Sequence, residues 1–379
     1  MKSDGRRDSA DPAPDNPNVF FCAHAVNRNW TGDVTLRSTT VRLRVISSKL
    51  QYYVLHESLF GFSCVPDLLF VTMEEKSVQP SYRSARVLRW AGYLWREAIR
   101  ESWRPIAPAF AKPNPATWSD ARVTAAWLGH ATVLINFFGI NILTDPVLFS
   151  RIGIRVPFLF TIGAKRLTAP ALTVDELPRI DIVLLTHAHF DHLDLRTLHR
   201  FNASTRIITA PRTRDLLRQT KLRDITELRW GDGKSIATSA GTIEITAIPV
   251  KHWGARMQHD DYRGYNGYMV ERNNRRILFS GDTAFTDAFA RLRTRGPIDL
   301  AIMSIGCYNP WIRTHCNPEQ AVQMATDAGA RFILPVHHQT FRLSFELFRE
   351  PIQRFEAALR NESERIALRR IGETFALPL

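Results

Sequence analysis

A chain of 379 residues, 45% of them hydrophobic, can bury one large core or two. The four cysteines, Cys22, Cys64, Cys307 and Cys316, form no C-x-x-C pair, which excludes a disulfide scaffold and a cysteine zinc knuckle and fits a reducing compartment. The formal net charge is +13 and the pI about 10.0, an excess carried mostly by arginine, which predicts attraction to something anionic: phospholipid surface, nucleic acid or a phosphorylated substrate. An Arg-rich genome is the plainer alternative.

The start, Met1-Lys2-Ser3-Asp4-Gly5-Arg6-Arg7, leads into a Pro/Asp/Asn-rich stretch with no apolar core, so it does not read as a secretory signal. The nearest approach to a membrane span, Tyr52 to Met73, is interrupted by His56, Glu57, Pro66 and Asp67. A cytoplasmic protein, peripheral on the inner membrane face, is therefore expected. Residues 1 to 20 are polar, with Pro12, Pro14 and Pro17, and read as disordered. Residues 20 to 75 show no sustained period. One reading starts translation at Met73, which leaves 1–72 outside the natural protein.

From 83 to 104, Val87, Trp90, Ala91, Leu94 and Ala98 share a helical face, with Arg86, Arg89, Arg96 and Arg100 around it. Trp90, Tyr93, Trp95 and Trp103 add amphipathic aromatics. Such a helix packs on a domain or lies in an anionic membrane interface. Lys112-Pro113-Asn114-Pro115 reads as a linker. An N-terminal extension over 1–115 and a main domain over 116–379 are thus expected.

The main domain opens with strands at Arg122–Leu128, Val133–Phe138 and Ile140–Thr144, with Gly139 as a hairpin turn. An apolar run, Asp181 to Leu185, reads as a buried strand. It ends abruptly in Thr186-His187-Ala188-His189-Phe190-Asp191-His192-Leu193-Asp194. Three imidazoles and two carboxylates within eight residues are too polar for a core and wrong for an ordinary turn. Imidazole and carboxylate suit zinc and similar divalent metals, and the lack of cysteine argues for an open catalytic site over a closed structural one. His187 and His189, two apart, point to one side of an extended backbone. Asp191 and His192 come where the chain turns toward a helix, so the spacing suggests two adjacent metals.

Beyond the motif, helices are expected at Leu195–Phe201 and Thr213–Gln219, and a strand at Arg206–Thr209. Gly231-Asp232-Gly233-Lys234-Ser235 hints at a phosphate loop, but Leu228 replaces its first glycine, and it reads as a turn between strands. Strands follow at Ile243–Val250, Arg276–Ser280, Leu300–Ile305 and Phe332–Val336. They deliver His252, Asp282, a loop with His315, and His337. Asn317-Pro318-Glu319-Gln320 is a helix start, with Asn as cap, and that helix ends near Gly329. Polar groups gathered beyond strand ends are how layered α/β folds build sites.

His187-x-His189-x-Asp191-His192, with His252, Asp282 and His337, resembles the metallo-β-lactamase fold superfamily over roughly residues 120 to 379. Trp127-Leu128-Gly129-His130-Ala131-Thr132, Leu143-Thr144-Asp145-Pro146, Phe279-Ser280-Gly281-Asp282-Thr283, Asn317-Pro318-Glu319-Gln320-Ala321-Val322 and His337-His338-Gln339-Thr340-Phe341 are similar to its branch of N-acyl-phosphatidylethanolamine-hydrolysing phospholipase D and bacterial relatives. The resemblance implies an α/β fold, a four-layer αββα sandwich, with the N-terminal extension outside it. It implies that His187, His189 and His252 hold one zinc, that Asp191, His192 and His337 hold the other, and that Asp282 bridges them. Iron or manganese could replace zinc. His315 matches a histidine near the substrate, expected to protonate a leaving group or bind phosphate, and Asp191 is expected also to orient the nucleophile. Asp145 and Asp194 are expected to fix imidazole tautomers and loop shape. His130 is left open between such a role and a structural one. The family pattern has Trp and Gly where this chain has His338 and Gln339.

The expected activity is a dinuclear zinc-dependent hydrolase of a phosphodiester, with a phospholipid-like substrate. A lactonase or other small-molecule hydrolase is the alternative. An RNA-processing nuclease ranks lower because no inserted basic arm grips RNA. A non-catalytic membrane-associated binding protein ranks lower because all seven ligands are intact. Expected partners are a lipid or small-molecule phosphodiester and an anionic membrane surface, with a homodimer left open.

Overall fold

The structure, a computed structural model, describes residues 101, 103–155, 161–257 and 259–378, together with four short strands between 21 and 54. The chain divides into two compact units. In the first, β1 (Phe21–Ala23), β2 (Thr31–Leu36), β3 (Thr39–Arg44) and β4 (Tyr52–Val54) form two antiparallel pairs, β1 with β4 and β2 with β3. The disorder expected over 1–20 lies outside the described residues. So does most of the helix expected over 83–104: Glu101 and Trp103 are described and helical, and Arg104 is a bend beyond them.

The second unit, which includes residues 102–379, carries the site. It begins with β5 (Val123–Gly129), β6 (Thr132–Phe137) and β7 (Ile140–Thr144), an antiparallel meander whose tight turn uses Phe138 and Gly139, both at positive φ. A small pair, β8 (Ile154–Arg155) and β9 (Thr161–Ile162), follows. Then β10 (Ile182–Leu185) joins β7 in parallel, and β11 (Arg206–Thr209) and β12 (Ile225–Glu227) extend the sheet in parallel. The helices between them, α1 (Leu195–Leu198) and α2 (Arg214–Leu217), are shorter than the sequence suggests.

The second sheet runs β13 (Gly233–Thr238), β14 (Gly241–Ile248), β15 (Gly267–Arg272), β16 (Arg275–Phe279), β17 (Ile298–Ser304) and β18 (Ala330–Val336) in spatial order. It is antiparallel through β16 and parallel beyond it. Helices α3 (Pro318–Asp327) and α4 (Glu350–Ala358) belong to this half, and β19 (Thr374–Ala376) returns to pair with β5. The expected cap holds: Asn317 accepts from Gln320 N at 2.9 Å, and the Gln320 side chain accepts from Asn317 N at 3.1 Å. Beyond the helix, Gly329 sits at positive φ.

Alternation along the strands builds the layers. Tyr268, Val270, Ile277, Phe279, Leu300 and Ile302 join one core with Val133, Leu143 and Leu184 of the first sheet. Their neighbours Met269, Leu278, Ala301 and Met303 face the other way and pack with Met324, Ala325, Ile352 and Phe355 of the helices. Fully burying a side chain of this size contributes about 1.5–3 kcal/mol. The result is an αββα sandwich. The expected linker at 112–115 is tied down nearby: Ala107 and Ala111 make backbone hydrogen bonds to Leu167, Ala169 and Ile371. No helix among the described residues is long and apolar enough to cross a membrane.

Candidate metal centre

The site assembles where strands end. β10 releases His187, His189, Asp191 and His192; β14, β16, β17 and β18 are followed by His252, Asp282, the loop with His315, and His337. Several junctions need left-handed backbone: Asp145, Gly281, Cys307 and His337 all have positive φ. At Gly281 a Cβ would lie 2.7 Å from Thr186 Cγ2 and 2.9 Å from Asn266 O, so only glycine lets Asp282 start so close to the His motif. At Gly306 a Cβ would meet His337 O at 2.1 Å.

All seven residues expected as ligands converge. His187, His189 and His252 form one set whose ligand atoms lie within 4.8 Å of one another; Asp191, His192 and His337, with His130, form a second; Asp282 joins His187 and His192 in a third, and His252 and His315 in a fourth. His187 Nε2 is 2.9 Å from His189 Nδ1, and His252 Nε2 is 3.4 Å from that same atom. His192 Nε2 is 3.2 Å from His337 Nε2, and Asp282 Oδ2 is 3.0 Å from the first and 3.2 Å from the second. A tetrahedral zinc, with Zn–N of about 2.0–2.1 Å, sets its ligand atoms about 3.3 Å apart.

Two further observations fit a cation. Both Asp282 oxygens and His315 Nδ1 are buried without a hydrogen-bond partner. Leaving such atoms unpaired costs about 1–3 kcal/mol each, so the cluster is poorly satisfied by protein alone. The remaining ring nitrogens are held from outside. His192 Nδ1 lies 2.7 Å from Asp145 Oδ2, His252 Nδ1 2.8 Å from Thr314 O, and His187 Nδ1 2.8 Å from Thr186 Oγ1. Each bond fixes a ring so that Nε2 faces the site.

Asp145 therefore does what was expected of it, and it also accepts from Thr186 N and Thr186 Oγ1 at 2.7 and 2.6 Å. Asp194 differs. It caps α1 and accepts from Arg196 and Thr197, shaping the loop without touching an imidazole. His130 has a role in the site: its Nε2 is 3.0 Å from Asp191 Oδ2, and its carbonyl accepts from Trp127 Nε1 and His337 N. His315 is buried, with Nδ1 3.8 Å from Asp282 Oδ2. Two features had no role assigned from sequence. The Thr314 carbonyl is a backbone group with no signature of its own. Cys307 is buried where β17 ends beside His337, and only its position beyond a strand end could have flagged it.

Burial and like charge decide the protonation. Burial, then neighbouring imidazoles, hold His187 well below its usual range. Burial also brings His130, His189 and His338 down to about 3 and His252 to about 4. Burial opposes charge on His192 too, but Asp282, Asp191 and Asp145 overcome it and push His192 up to about 10. Burial of Asp282 is likewise outweighed, by His192, His337 and His315, which keep its carboxylate ionised.

These shifts predict acid sensitivity. A histidine held neutral in the fold gives stability that is full above about pH 6.5 and declines as pH falls toward its folded value, by about 1.4 kcal/mol per pH unit. His192 and His337 are protonated in both states below 6.5 and add no slope there; their stabilisation fades instead as pH rises above 6.5. Thermal unfolding of the chelator-treated protein should therefore drop steeply from pH 7 to pH 5. A melting temperature flat over that interval would show that these imidazoles are not buried neutral.

An αββα sandwich with histidine and carboxylate sets at its strand ends defines a metal-dependent hydrolase. The family model for the beta-lactamase superfamily domain matches residues 140–338. The chain belongs to the metallo-β-lactamase superfamily. It is 32% identical over 289 residues to an uncharacterized protein of Mycobacterium tuberculosis, covering 73% of this chain and 75% of that one. It is also 32% identical over 248 residues to N-acyl-phosphatidylethanolamine-hydrolyzing phospholipase D 1 of Caenorhabditis elegans, covering 62% of this chain and 68% of the relative. Among solved structures, a metallo hydrolase of the archaeon Ignicoccus hospitalis superposes with a TM-score of 0.53 at 17% identity, covering 68% of this chain and 99% of that one. At that identity the likeness is one of fold.

Proposed function

We propose that the protein is a dinuclear zinc hydrolase of phosphodiesters with a phospholipid-like substrate. The observation that carries this is the pair of ligand sets sharing Asp282, in a chain similar to a phospholipase D of this type. His187, His189 and His252 would hold one ion, Asp191, His192 and His337 the other, and Asp282 both. Bound there, the ions would supply an activated water and neutralise negative charge developing at phosphorus. The protein's part is placement. Asp145, Thr186 and Thr314 hold the rings, and His130 holds Asp191 Oδ2 at 3.0 Å, beside His192 and His337, where Asp191 would also orient the nucleophile.

His315 is held neutral by burial and by the imidazoles around it, well below its ordinary range, although Asp282 pulls the other way. Held neutral, the ring has one N–H to donate to a phosphoryl oxygen and no additional proton to give a leaving group. Of the two roles expected for His315, phosphate binding is thus the one its surroundings favour.

The test is a substrate panel run on protein of measured zinc, iron and manganese content. It compares an N-acyl-phosphatidylethanolamine, a short-chain soluble phosphodiester and a lactone. Cleavage of both phosphodiesters at rates well above the lactone is expected. Preference for the lactone would replace this reading with that of a small-molecule lactonase.

A further inference from the structure

The loops that carry the site residues also carry most of the exposed large apolar side chains of the second unit. Trp253 follows His252, Phe285 lies three residues after Asp282, Ile312 three before His315, and Phe345, Leu347 and Phe348 follow His337. Leu347 is 76% exposed and Phe348 46%, so these are not core residues seen edge-on. Isolated exposed apolar residues are ordinary, but a connected group is not.

Hydrogen bonds show that these loops are neighbours. Ala284 N donates to Lys251 O at 2.8 Å, tying the Phe285 loop to the Trp253 loop. His252 meets Thr314 O at 2.8 Å, tying the Trp253 loop to that of Ile312. Phe345 N donates to Asn309 O at 3.0 Å, and Asn309 N to Glu346 Oε1 at 2.8 Å, tying the Ile312 loop to the last one. The rim is continuous. On it stand four exposed cations, Lys251, Arg313, Arg342 and Arg349, none in an ion pair among the described residues. Asp261 and Asp287 are the exposed acids on the same loops, against those four cations. A cleft runs inward from the last loop: Leu347, Phe348 and Arg342 line its outer part, and His130 and His337 its inner part.

We propose that this rim is a docking surface for an anionic phospholipid bilayer, with the apolar side chains entering the headgroup boundary and the four cations meeting lipid phosphates. The polarity of the rim selects this occupant: unpaired cations stand on three of its four apolar loops and outnumber the exposed acids, which complements the phosphates of an anionic bilayer. Docked this way, the cleft opens toward the lipid, and a phospholipid reaches His130 and His337 without leaving the interface. The purpose of docking rests on the phospholipid reading above, whereas docking itself is read without turnover, so the two can fail separately.

The experiment is vesicle sedimentation of the full chain, with phosphatidylcholine alone and with phosphatidylcholine containing phosphatidylglycerol. Binding is expected with the anionic vesicles and should weaken as salt rises. F285S/I312S and R313A/R349A change exposed positions outside the cleft, and each should lower the partition coefficient roughly tenfold or more, with melting temperature and metal content unchanged. The charge variant removes only exposed, unpaired side chains, so it tests the surface even if the apolar variant folds poorly. Full binding by R313A/R349A would overturn the proposal and place membrane attachment elsewhere, for instance on residues 83–104. Absence of binding by the intact chain would overturn it as well, and would leave the rim covered by another partner or by the chain's own first hundred residues.

Discussion

Asp282→Ala is expected to strip the protein of both metals and of activity together. Asp282 Oδ2 lies 3.0 Å from His192 Nε2 and 3.2 Å from His337 Nε2, and its carboxylate is also within 3.9 Å of His252. Among the described residues, no other acid stands among both sets of imidazoles. Removing an outer partner of a ligand costs 10–100-fold in affinity or activity. Loss of a ligand shared by two ions should exceed that upper figure. The residue is buried and its charge balances His192 and His337, so part of the loss will appear as lower stability of the metal-free protein. Metal analysis beside the rate decides it: a variant that keeps both ions would refute the bridging role.

His315→Ala should behave differently. Turnover on a phosphodiester should fall by roughly a hundredfold or more, the usual worth of one preorganised donor. Metal content should stay near that of the parent, because His315 is outside the seven ligands. Its place is nevertheless close: Nδ1 is 3.8 Å from Asp282 Oδ2, and its ring centroid is 5.0 Å from that of His252. That proximity makes the measurement informative. If His315→Ala loses zinc as Asp282→Ala does, His315 is itself a ligand beside His252 and Asp282, and the first set must be redrawn. If zinc and rate both survive, the residue belongs to the loop alone.

Much of the site was legible because its residues follow apolar runs. His187 to His192, His252, Asp282 and His337 each break a buried strand or come directly after one. An imidazole or carboxylate at that point has few structural reasons to be there. The Asn317–Gln320 cap was legible for a similar local reason, since both partners of the capping box lie within four residues. What escaped depends on distant parts of the chain. β19 pairs with β5 across the whole second unit, and nothing near Thr374 signals it.

The role of His130 comes from Asp191, 61 residues later in the chain. β13 is exposed at four of its six positions, with Ile236 buried and Thr238 half-buried, so its polar edge and Gly-Asp-Gly approach read as a turn. β15 was missed despite a usable signal: Asn273 and Asn274, at φ of 50° and 59°, form the tight turn that joins it to β16. Helices α1 and α2 stop after four residues each, because short helices are held by tertiary contacts that periodicity alone does not limit.

These strand ends are expected to hold two metals that the reaction requires. Elemental analysis of the purified chain, paired with hydrolysis before and after chelation, tests this most directly. Close to two divalent ions per chain, mainly zinc, are expected, with activity lost on chelation and restored by adding the metal back. A chain that contains no metal and hydrolyses at full rate would contradict the account.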